Sequence, residues 1–214
     1  MTYIDVHSHS AAAQNTDTVT VVNNGPASGL FSAGLHPWHL SPENLEDSLT
    51  ALEKRLQSSS CAALGETGLD KICGTLWPLQ QEAFLRQIKL VEIYSKPIII
   101  HCVKAYQEII AAKNESSVPW IFHGFRGSAE MAESLTKKGI YISFGAALLD
   151  LENGNLREVF RAAALNHIFL ETDESSFPIV DIYHEAANLK GISIDELTDA
   201  IKNNFIKVFG DILK

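Results

Sequence analysis

The sequence predicts an α/β protein of the TIM-type (β/α)8 barrel class, and three observations support this. Eight short runs rich in Ile, Val and Phe alternate with amphipathic stretches along the chain. Several runs are apolar on both faces, as in parallel strands that are covered on both sides. Strands that alternate with helices pair in parallel through right-handed crossovers, and eight such units close a barrel. The length of 214 residues predicts one domain, 1–214.

Each predicted element has its own local signal. The strands are expected at residues 4–9, 18–22, 31–36, 61–66, 97–102, 120–124, 140–145 and 168–173. Helices are expected at residues 42–56, 79–95, 105–113, 128–138, 156–165, 181–189 and 193–209. Ser41 and Pro42 form an N-cap followed by proline at the first helical position. Ser193 and Glu196 form a capping-box pattern at the start of the last helix.

The connections after the first two strands are too short for helices. Only residues 10–17 and 23–30 are available, whereas a parallel crossover normally takes a dozen or more. We therefore expect a distorted barrel in which the helices after strands 1 and 2 are missing, and in which the second strand risks running antiparallel. The apolar outer faces of both strands then need a cover. We expect residues 205–213 to cover the first strand and a weak homodimer to cover the second, so the chain is a monomer or a weak homodimer.

Composition excludes several classes of protein. The formal net charge of -9 and the pI of about 5.3 argue against a general nucleic-acid binder with a basic face. No apolar run reaches the length of a membrane span, and the first residues lack the features of a signal peptide. Three cysteines without a CxxC spacing argue against a disulfide framework. These features predict a cytoplasmic protein without a membrane partner.

Chemically reactive side chains recur at the C-terminal ends of the predicted strands, where barrel enzymes build their active sites. His7 and His9 lie two residues apart and share one face of the first strand, so both can point at one ion. The full set is His7, His9, Glu66, His101, His123 and Asp173. Four imidazoles and two carboxylates suit two divalent ions, either Zn or Mn, with Mg also suitable.

Each of these residues alone has an ordinary structural explanation. A single strand histidine is more often a hydrogen-bonded structural residue than a ligand, and a single carboxylate at a strand end can cap the next helix. Six such residues at the same end of their strands are hard to explain in this way. A buried charged cluster without a metal ion is also costly. The pattern therefore favours metal binding.

Seven short motifs extend this pattern along the chain. They are Ile-Asp-Val-His-Ser-His at 4–9, Gly-Leu-His-Pro-Trp at 34–38, Leu-Gly-Glu-Thr-Gly-Leu-Asp at 64–70, Pro-Ile-Ile-Ile-His-Cys at 97–102, Phe-His-Gly-Phe-Arg-Gly-Ser at 122–128, Leu-Glu-Thr-Asp at 170–173, and Asn204 with Val-Phe-Gly at 208–210. In these motifs the sequence resembles the TatD-type metal-dependent hydrolases, a branch of the amidohydrolase superfamily. The motifs follow the order of that family across nearly the whole chain.

The resemblance implies a ligand assignment. His7 and His9 hold one metal with Asp173 beside it, and His101 and His123 hold the second. Glu66 bridges the two. Asp173 is expected to orient the attacking water and to accept its proton. The family includes Mg-dependent deoxyribonucleases, and some relatives deacylate mischarged tRNA.

Three further residues are candidate substrate contacts. His36 either contacts the substrate or only stabilises its own turn. Lys104 and Arg126 follow strands that carry ligands, so each is either a phosphate contact or an ordinary solvated charge. Glu174, directly after Asp173, adds negative charge that disfavours a phosphate.

The expected function is metal-dependent hydrolysis of esters, with a nucleic-acid or small-molecule phosphoester as substrate and deoxyribonuclease activity as the leading hypothesis. Deacylation of an aminoacyl ester and another amidohydrolase activity remain alternatives. A non-catalytic binding protein is a further alternative, although the complete ligand set argues against it.

Overall fold

The structure, a computed structural model, describes residues 2–10 and 17–212. In that part of the chain, short strands alternate with helices. The strands are β1 (Tyr3–Ser8), β2 (Thr18–Asn23), β3 (Phe31–Ala33), β4 (Cys61–Asp70), β5 (Ile98–Val103), β6 (Trp120–Phe122), β7 (Tyr141–Phe144) and β8 (Ile168–Leu170). The helices are α1 (Leu45–Leu56), α2 (Trp77–Tyr94), α3 (Tyr106–Lys113), α4 (Ala129–Lys137), α5 (Gly154–Ala162), α6 (Ile179–Lys190) and α7 (Ile194–Phe209).

Every predicted strand is present, but several ends differ from the prediction. β3, β6 and β8 are three residues long and stop before the expected polar ends. β4 continues to Asp70, four residues beyond the predicted end at Glu66. Glu66 and His101 therefore lie inside their strands, whereas His9, His123 and Asp173 follow theirs.

The chain divides into two compact units, and the first consists of Met1–Val22 and Ile121–Lys214. Within it, β1 pairs with β2, and β7 pairs with both β6 and β8, always in parallel. A parallel bridge between Ser8 and Asp173 brings the segment after β8 beside the end of β1. The second strand is thus parallel to the first, and the antiparallel arrangement considered from the sequence does not occur.

The outer side of β1 is covered by the chain itself. Ile4 and Val6 are fully buried, and both α6 and α7 pack against β1. The Tyr183 hydroxyl of α6 donates to the Ile4 carbonyl and accepts from the Ile4 amide, at 3.0 Å each. The helix α7, which contains residues 205–209 of the expected cover, therefore packs against the first strand together with α6. Leu213, also part of the expected cover, lies outside the described residues.

The second strand is less exposed than expected. Val21 and Val22 are buried within the single chain, which removes most of the reason for a covering partner. The homodimer remains a prediction. Residues 24–30 form turns and contain no helix, as expected for the connection after β2. The expected lack of a helix after β1 concerns residues 11–16, which lie outside the described part of the chain.

The second unit is Asn23–Trp120, in which β4 pairs in parallel with β3 and with β5. The register between β4 and β5 shifts between Leu64 and Thr67, where β4 contains one more residue than β5. Gly68 then lies opposite His101, and a Cβ there would be 1.9 Å from the His101 carbonyl oxygen. Only glycine allows this approach, so Gly68 lets β4 continue beside His101 instead of ending at Glu66.

Among residues 2–10 and 17–212, no helix is both long and apolar enough to cross a membrane.

Candidate metal centre

Side chains from three elements of the first unit meet in what we call the first cluster: His7, His123 and Asp173. One ligand atom from each lies within 4.8 Å of the others. His7 is fully buried in β1, and His123 directly follows β6. Asp173 is held at the end of β1 by two backbone bonds of 3.0 Å, since its amide donates to the His7 carbonyl and its carbonyl accepts from the His9 amide.

The spacing of the first cluster fits a divalent cation. The Asp173 Oδ1 atom lies 3.6 Å from His7 Nε2 and 3.5 Å from His9 Nε2. These distances are at or beyond the limit of a hydrogen bond. Two ligands around a tetrahedral ion with bonds of about 2.1 Å are roughly 3.4 Å apart, so the separations match a shared ion better. Imidazole and carboxylate donors without thiolates suit Zn, Mn or Mg.

The backbone at Asp173 is unusual. Its φ of 54° lies in the left-handed region, which residues other than glycine rarely adopt. Such conformations cluster at functional sites. The preceding Thr172 is fixed by Asp5, whose carboxylate accepts from the Thr172 amide at 3.0 Å and from its hydroxyl at 2.7 Å. Burial raises the pKa of Asp5 to about 7 despite these bonds. Through its two hydrogen bonds to the neighbouring Thr172, the Asp5 carboxyl helps to hold Asp173 in place.

A fully buried carboxylate supports His123 from behind. Glu171 Oε1 accepts from the Gly124 amide at 2.6 Å and lies 3.6 Å from His123 Nδ1, and its other oxygen accepts from the Ser143 hydroxyl. Burial opposes the charge of Glu171, but its hydrogen bonds and the nearby His123 and His7 outweigh burial and lower its pKa. An ionised Glu171 can orient His123, as outer carboxylates do for histidine ligands in metal sites.

The second cluster consists of His36, Glu66 and His101, all in the second unit. Glu66 Oε1 lies 2.7 Å from His101 Nδ1 and 3.2 Å from His36 Nε2. All three side chains are largely buried, with exposures of 12%, 5% and 11%. The Glu66 amide donates to the Asn23 side chain at 3.0 Å. One oxygen of Glu66 therefore lies within hydrogen-bond distance of both imidazoles, in a largely buried cluster.

The two nitrogens of His101 face different carboxylates. Nδ1 faces Glu66, and Nε2 lies 3.3 Å from Asp70 Oδ2. The same Asp70 oxygen accepts from the Trp38 indole at 2.6 Å. Burial opposes the Asp70 charge, but bonds from Trp38, the Ile72 amide and His101 prevail and lower its pKa. When a cation binds beside Glu66, an ionised Asp70 could hold the His101 proton on Nε2, which would free the lone pair of Nδ1 for that cation.

His36 stabilises its own turn, one of the two roles considered for it from the sequence, and a substrate contact remains a prediction. Its Nδ1 accepts from the Trp38 amide at 3.2 Å, which caps the short 3₁₀ turn Pro37–His39. Burial lowers its pKa, so the ring is neutral and its proton must lie on Nε2, facing Glu66. Binding a cation through Nε2 would move the ring proton to Nδ1 and break the bond from the Trp38 amide. His36 is therefore better suited to donate to Glu66 or to a substrate than to hold a metal.

The first unit contains four of the six predicted ligands, and the second contains two. His7, His9, His123 and Asp173 come together in the first, and Glu66 and His101 in the second. Sequence reasoning missed the supporting carboxylates Asp70 and Glu171. Glu171 was detectable, because it lies two residues before Asp173 at the spacing of one strand face. Asp70 was not, because the register shift in β4 changes which residues share a face.

Two of the predicted substrate contacts, Lys104 and Arg126, are solvent-exposed. Arg126 lines a pocket of about 280 Å³ in the first unit together with Asp173 and Glu174. Lys104 directly follows β5 and has a φ of 54°. Lys71, which directly follows β4, forms an ion pair of 2.5 Å with Glu108.

Comparison with solved structures identifies the fold. The crystal structure of YjjV, a TatD homolog from Escherichia coli K12, aligns with a TM-score of 0.81 over 97% of each chain at 22% identity. A TatD-family hydrolase from Entamoeba histolytica aligns with a TM-score of 0.80 over 98% of each chain at 16% identity. The chain is thus a (β/α)8 barrel of the TIM type, as the sequence predicts.

The fold and the sequence define a metal-dependent hydrolase. A family model described as TatD-related DNase matches residues 2–210, and the chain belongs to that family. The uncharacterized metal-dependent hydrolase YcfH of Escherichia coli K12 is 29% identical over 198 residues, covering 84% of this chain and 73% of that protein.

Proposed function

We propose that this chain is a phosphodiesterase that cleaves DNA with two divalent cations, Zn, Mg or Mn. His7, His9 and Asp173 supply donors for one ion, and His101 supplies a donor for the other. The family resemblance pairs His123 with His101, but His123 lies within ligand distance of His7 and Asp173, and we assign it to the first ion. Glu66 is proposed to be shared between the two ions, in the position that the family resemblance assigns to it. The main support is the assembly of imidazole and carboxylate donors at ligand spacing, in a chain of the TatD-related DNase family.

The bound cations would lower the pKa of a water and stabilise the charge that develops on the phosphate oxygens. Asp173 is the residue suited to receive the proton of that water. Its side chain is 40% exposed, whereas the Glu66 side chain is only 5% exposed. It also lines a pocket that a substrate can enter. The two backbone bonds that hold Asp173 keep its carboxylate oriented for proton transfer.

Arg126 is the strongest candidate for a phosphate contact, because it lines the same pocket as Asp173. Its planar guanidinium can bind two phosphate oxygens at once. The net charge of -9 does not exclude such a substrate, because bound divalent cations would attract the phosphate oxygens directly. Lys104 is a weaker candidate.

One observation favours a different ester substrate. Glu174 lines the pocket that holds Asp173 and Arg126, and its charge repels a phosphate. An aminoacyl ester, whose amine is positive, would be attracted by the same carboxylate. Deacylation of an aminoacyl ester is therefore the second candidate.

The decisive experiment combines metal analysis with a matched pair of substrates. Protein stripped with a chelator is reloaded with Zn, Mg or Mn and assayed with a labelled DNA oligonucleotide and with an aminoacyl ester. The proposal predicts metal-dependent cleavage of the oligonucleotide that is lost in Asp173→Asn. Cleavage of the ester alone would transfer the assignment to the second candidate. No turnover of the oligonucleotide with any of the three metals contradicts the phosphodiesterase proposal.

A further inference from the structure

A surface groove of about 560 Å³ lies beside the second cluster, entirely within the second unit. Its eight lining residues are all uncharged and mostly apolar, and they include Trp38, Leu40, Leu76 and Leu79. The volume is in the range of small-molecule sites. Because the lining carries no charge, the groove is not built to hold a phosphate. It suits an uncharged, flat and largely apolar group.

Trp38 connects this groove to the second cluster. Its indole nitrogen donates to Asp70, which in turn lies within hydrogen-bond distance of His101. The Trp38 ring centre is 4.9 Å from that of His36 and 5.8 Å from that of His101. A group in the groove would therefore be about one nucleotide unit away from a phosphate bound at His101, given a rise of about 3.4 Å per nucleotide or more in an extended strand.

The Trp38 ring is both exposed and fixed. Its exposed fraction is 56%, which is high for a tryptophan, while the bond to Asp70 holds one edge. Leu76, at the rim of the groove, is 69% exposed and Ile72 in the same loop is 67% exposed. Large apolar side chains gathered on one exposed loop indicate a binding surface. A fixed aromatic face also costs little entropy when a ligand stacks on it.

The loop between β4 and α2, which lines another part of the groove, is held in place by hydrogen bonds. Gln80 in α2 is almost fully buried, and its side chain donates to the carbonyls of Asp70 and Thr75 at 3.0 and 2.9 Å. It also accepts from the Asp70 amide at 2.8 Å. These bonds tie the loop between β4 and α2 to the same carboxylate residue that holds Trp38. The positions of Trp38 and of this loop are therefore both tied to Asp70.

We propose that this groove is a nucleobase subsite, in which the base adjoining the scissile phosphate stacks on Trp38. The inference rests on the proposed function, and it specifies a substrate with a base next to the bond that is cleaved. Stacking of a base on an aromatic side chain contributes about 1–3 kcal/mol and tolerates any base. The subsite therefore confers a preference for nucleotides over other phosphoesters, without sequence specificity.

The test compares two phosphates that differ only in the base: thymidine 5′-monophosphate and 2-deoxyribose 5-phosphate. We expect the metal-loaded protein to bind the nucleotide at least about fivefold more tightly, as 1 kcal/mol of stacking requires. Thymidine added to the metal-free protein should shift the indole N–H signal of Trp38 in a ¹H–¹⁵N spectrum. The signals of Trp77 and Trp120 are internal controls, since the chain has three tryptophans.

Two variants separate stacking from the hydrogen bond. Trp38→Phe and Trp38→Leu both lose the donor to Asp70, but only Phe keeps an aromatic face. The preference for the nucleotide should persist in Trp38→Phe and disappear in Trp38→Leu. Leu76→Asp adds charge to the groove and leaves the Asp70 bonds in place. This variant should reduce the preference for the nucleotide.

Equal affinity of the wild type for both phosphates, with DNA cleavage intact, overturns the subsite and leaves the proposed function standing. A preference retained by Trp38→Leu overturns it as well. A Trp38 signal that responds to protein concentration instead of thymidine identifies a self-association surface and also overturns it. A thymidine-induced shift of Trp38 in a protein that cleaves no phosphodiester supports the groove and refutes the proposed function.

Discussion

The first and second clusters use the same residue types but differ in how open they are. In the first, the carboxylate of Asp173 is 40% exposed, follows its strand and borders a pocket. In the second, Glu66 lies within β4, is nearly buried and has two imidazoles facing one of its oxygens. An exposed carboxylate can exchange protons with solvent and substrate, whereas a buried one between imidazoles is suited to hold a cation. From this difference we infer that Asp173 in the first cluster serves proton transfer, whereas Glu66 in the second cluster serves to hold a cation.

Each cluster has a supporting carboxylate of its own. A buried carboxylate lies behind one histidine of each, Glu171 behind His123 and Asp70 behind His101. These two carboxylates accept hydrogen bonds from different donors. Glu171 accepts from a backbone amide and from the Ser143 hydroxyl. Asp70 accepts from backbone amides and from the indole of the exposed Trp38. The second cluster is thus connected to the surface through Trp38.

The largest expected effect is on turnover at the first cluster. Asp173→Asn should lower kcat by about a hundredfold or more, because an amide cannot accept the proton of the water. Glu174→Gln is the matched control in the same pocket, and it should not lower kcat for a phosphodiester. Steady-state kinetics on the reloaded proteins decides the point. Near-normal turnover of Asp173→Asn would contradict the proposal that Asp173 in the first cluster accepts the proton of the water.

The next effect concerns metal retention at the second cluster. Glu66→Gln should weaken metal binding more than tenfold, since the ligand charge is lost from the centre of the cluster. If Glu66 is shared by both ions, the total content should fall by more than one ion per chain. Mass spectrometry of the metals after dialysis measures this, with Glu115→Gln on the surface as the control. An unchanged metal content in Glu66→Gln argues against its role as a ligand.

The supporting carboxylates should have intermediate effects that stay within their own clusters. Asp70→Asn and Glu171→Gln are each expected to weaken metal binding by about 10–100-fold. In the metal-free protein, Asp70→Asn should change the ¹⁵N shifts of the His101 ring and leave those of His123 unchanged, and Glu171→Gln should do the reverse. Spectra in which either variant alters both rings equally would show that the two clusters are not independent.

The smallest effect is expected at the exposed cations. Arg126→Ala should raise KM for a DNA substrate several-fold and reduce its salt dependence by about one counterion. Lys104→Ala should have a weaker effect, because Arg126 shares a pocket with Asp173. Measuring KM between low and high salt ranks the two variants. A wild-type KM that is insensitive to salt is inconsistent with nucleic acid as substrate.

The fold class and the candidate ligands could be predicted from the amino-acid sequence. Alternating apolar runs and amphipathic stretches predict the β/α order, because strands and helices have different hydrophobic periods. His7 and His9 stand out since their spacing places both on one strand face. The family motifs around Glu66, His101, His123 and Asp173 added the rest of the ligand set.

The contacts that support these residues could not be predicted, because they join segments that are distant in the sequence. The register shift before Gly68 extends β4 and carries Asp70 to the second nitrogen of His101, and no residue pattern reveals such a shift. The cover of β1 by α6 and α7 depends on contacts between residues about 180 positions apart, such as Ile4 and Tyr183. The exposed face of Trp38 likewise follows from packing, since side-chain exposure depends on neighbours that are distant in sequence.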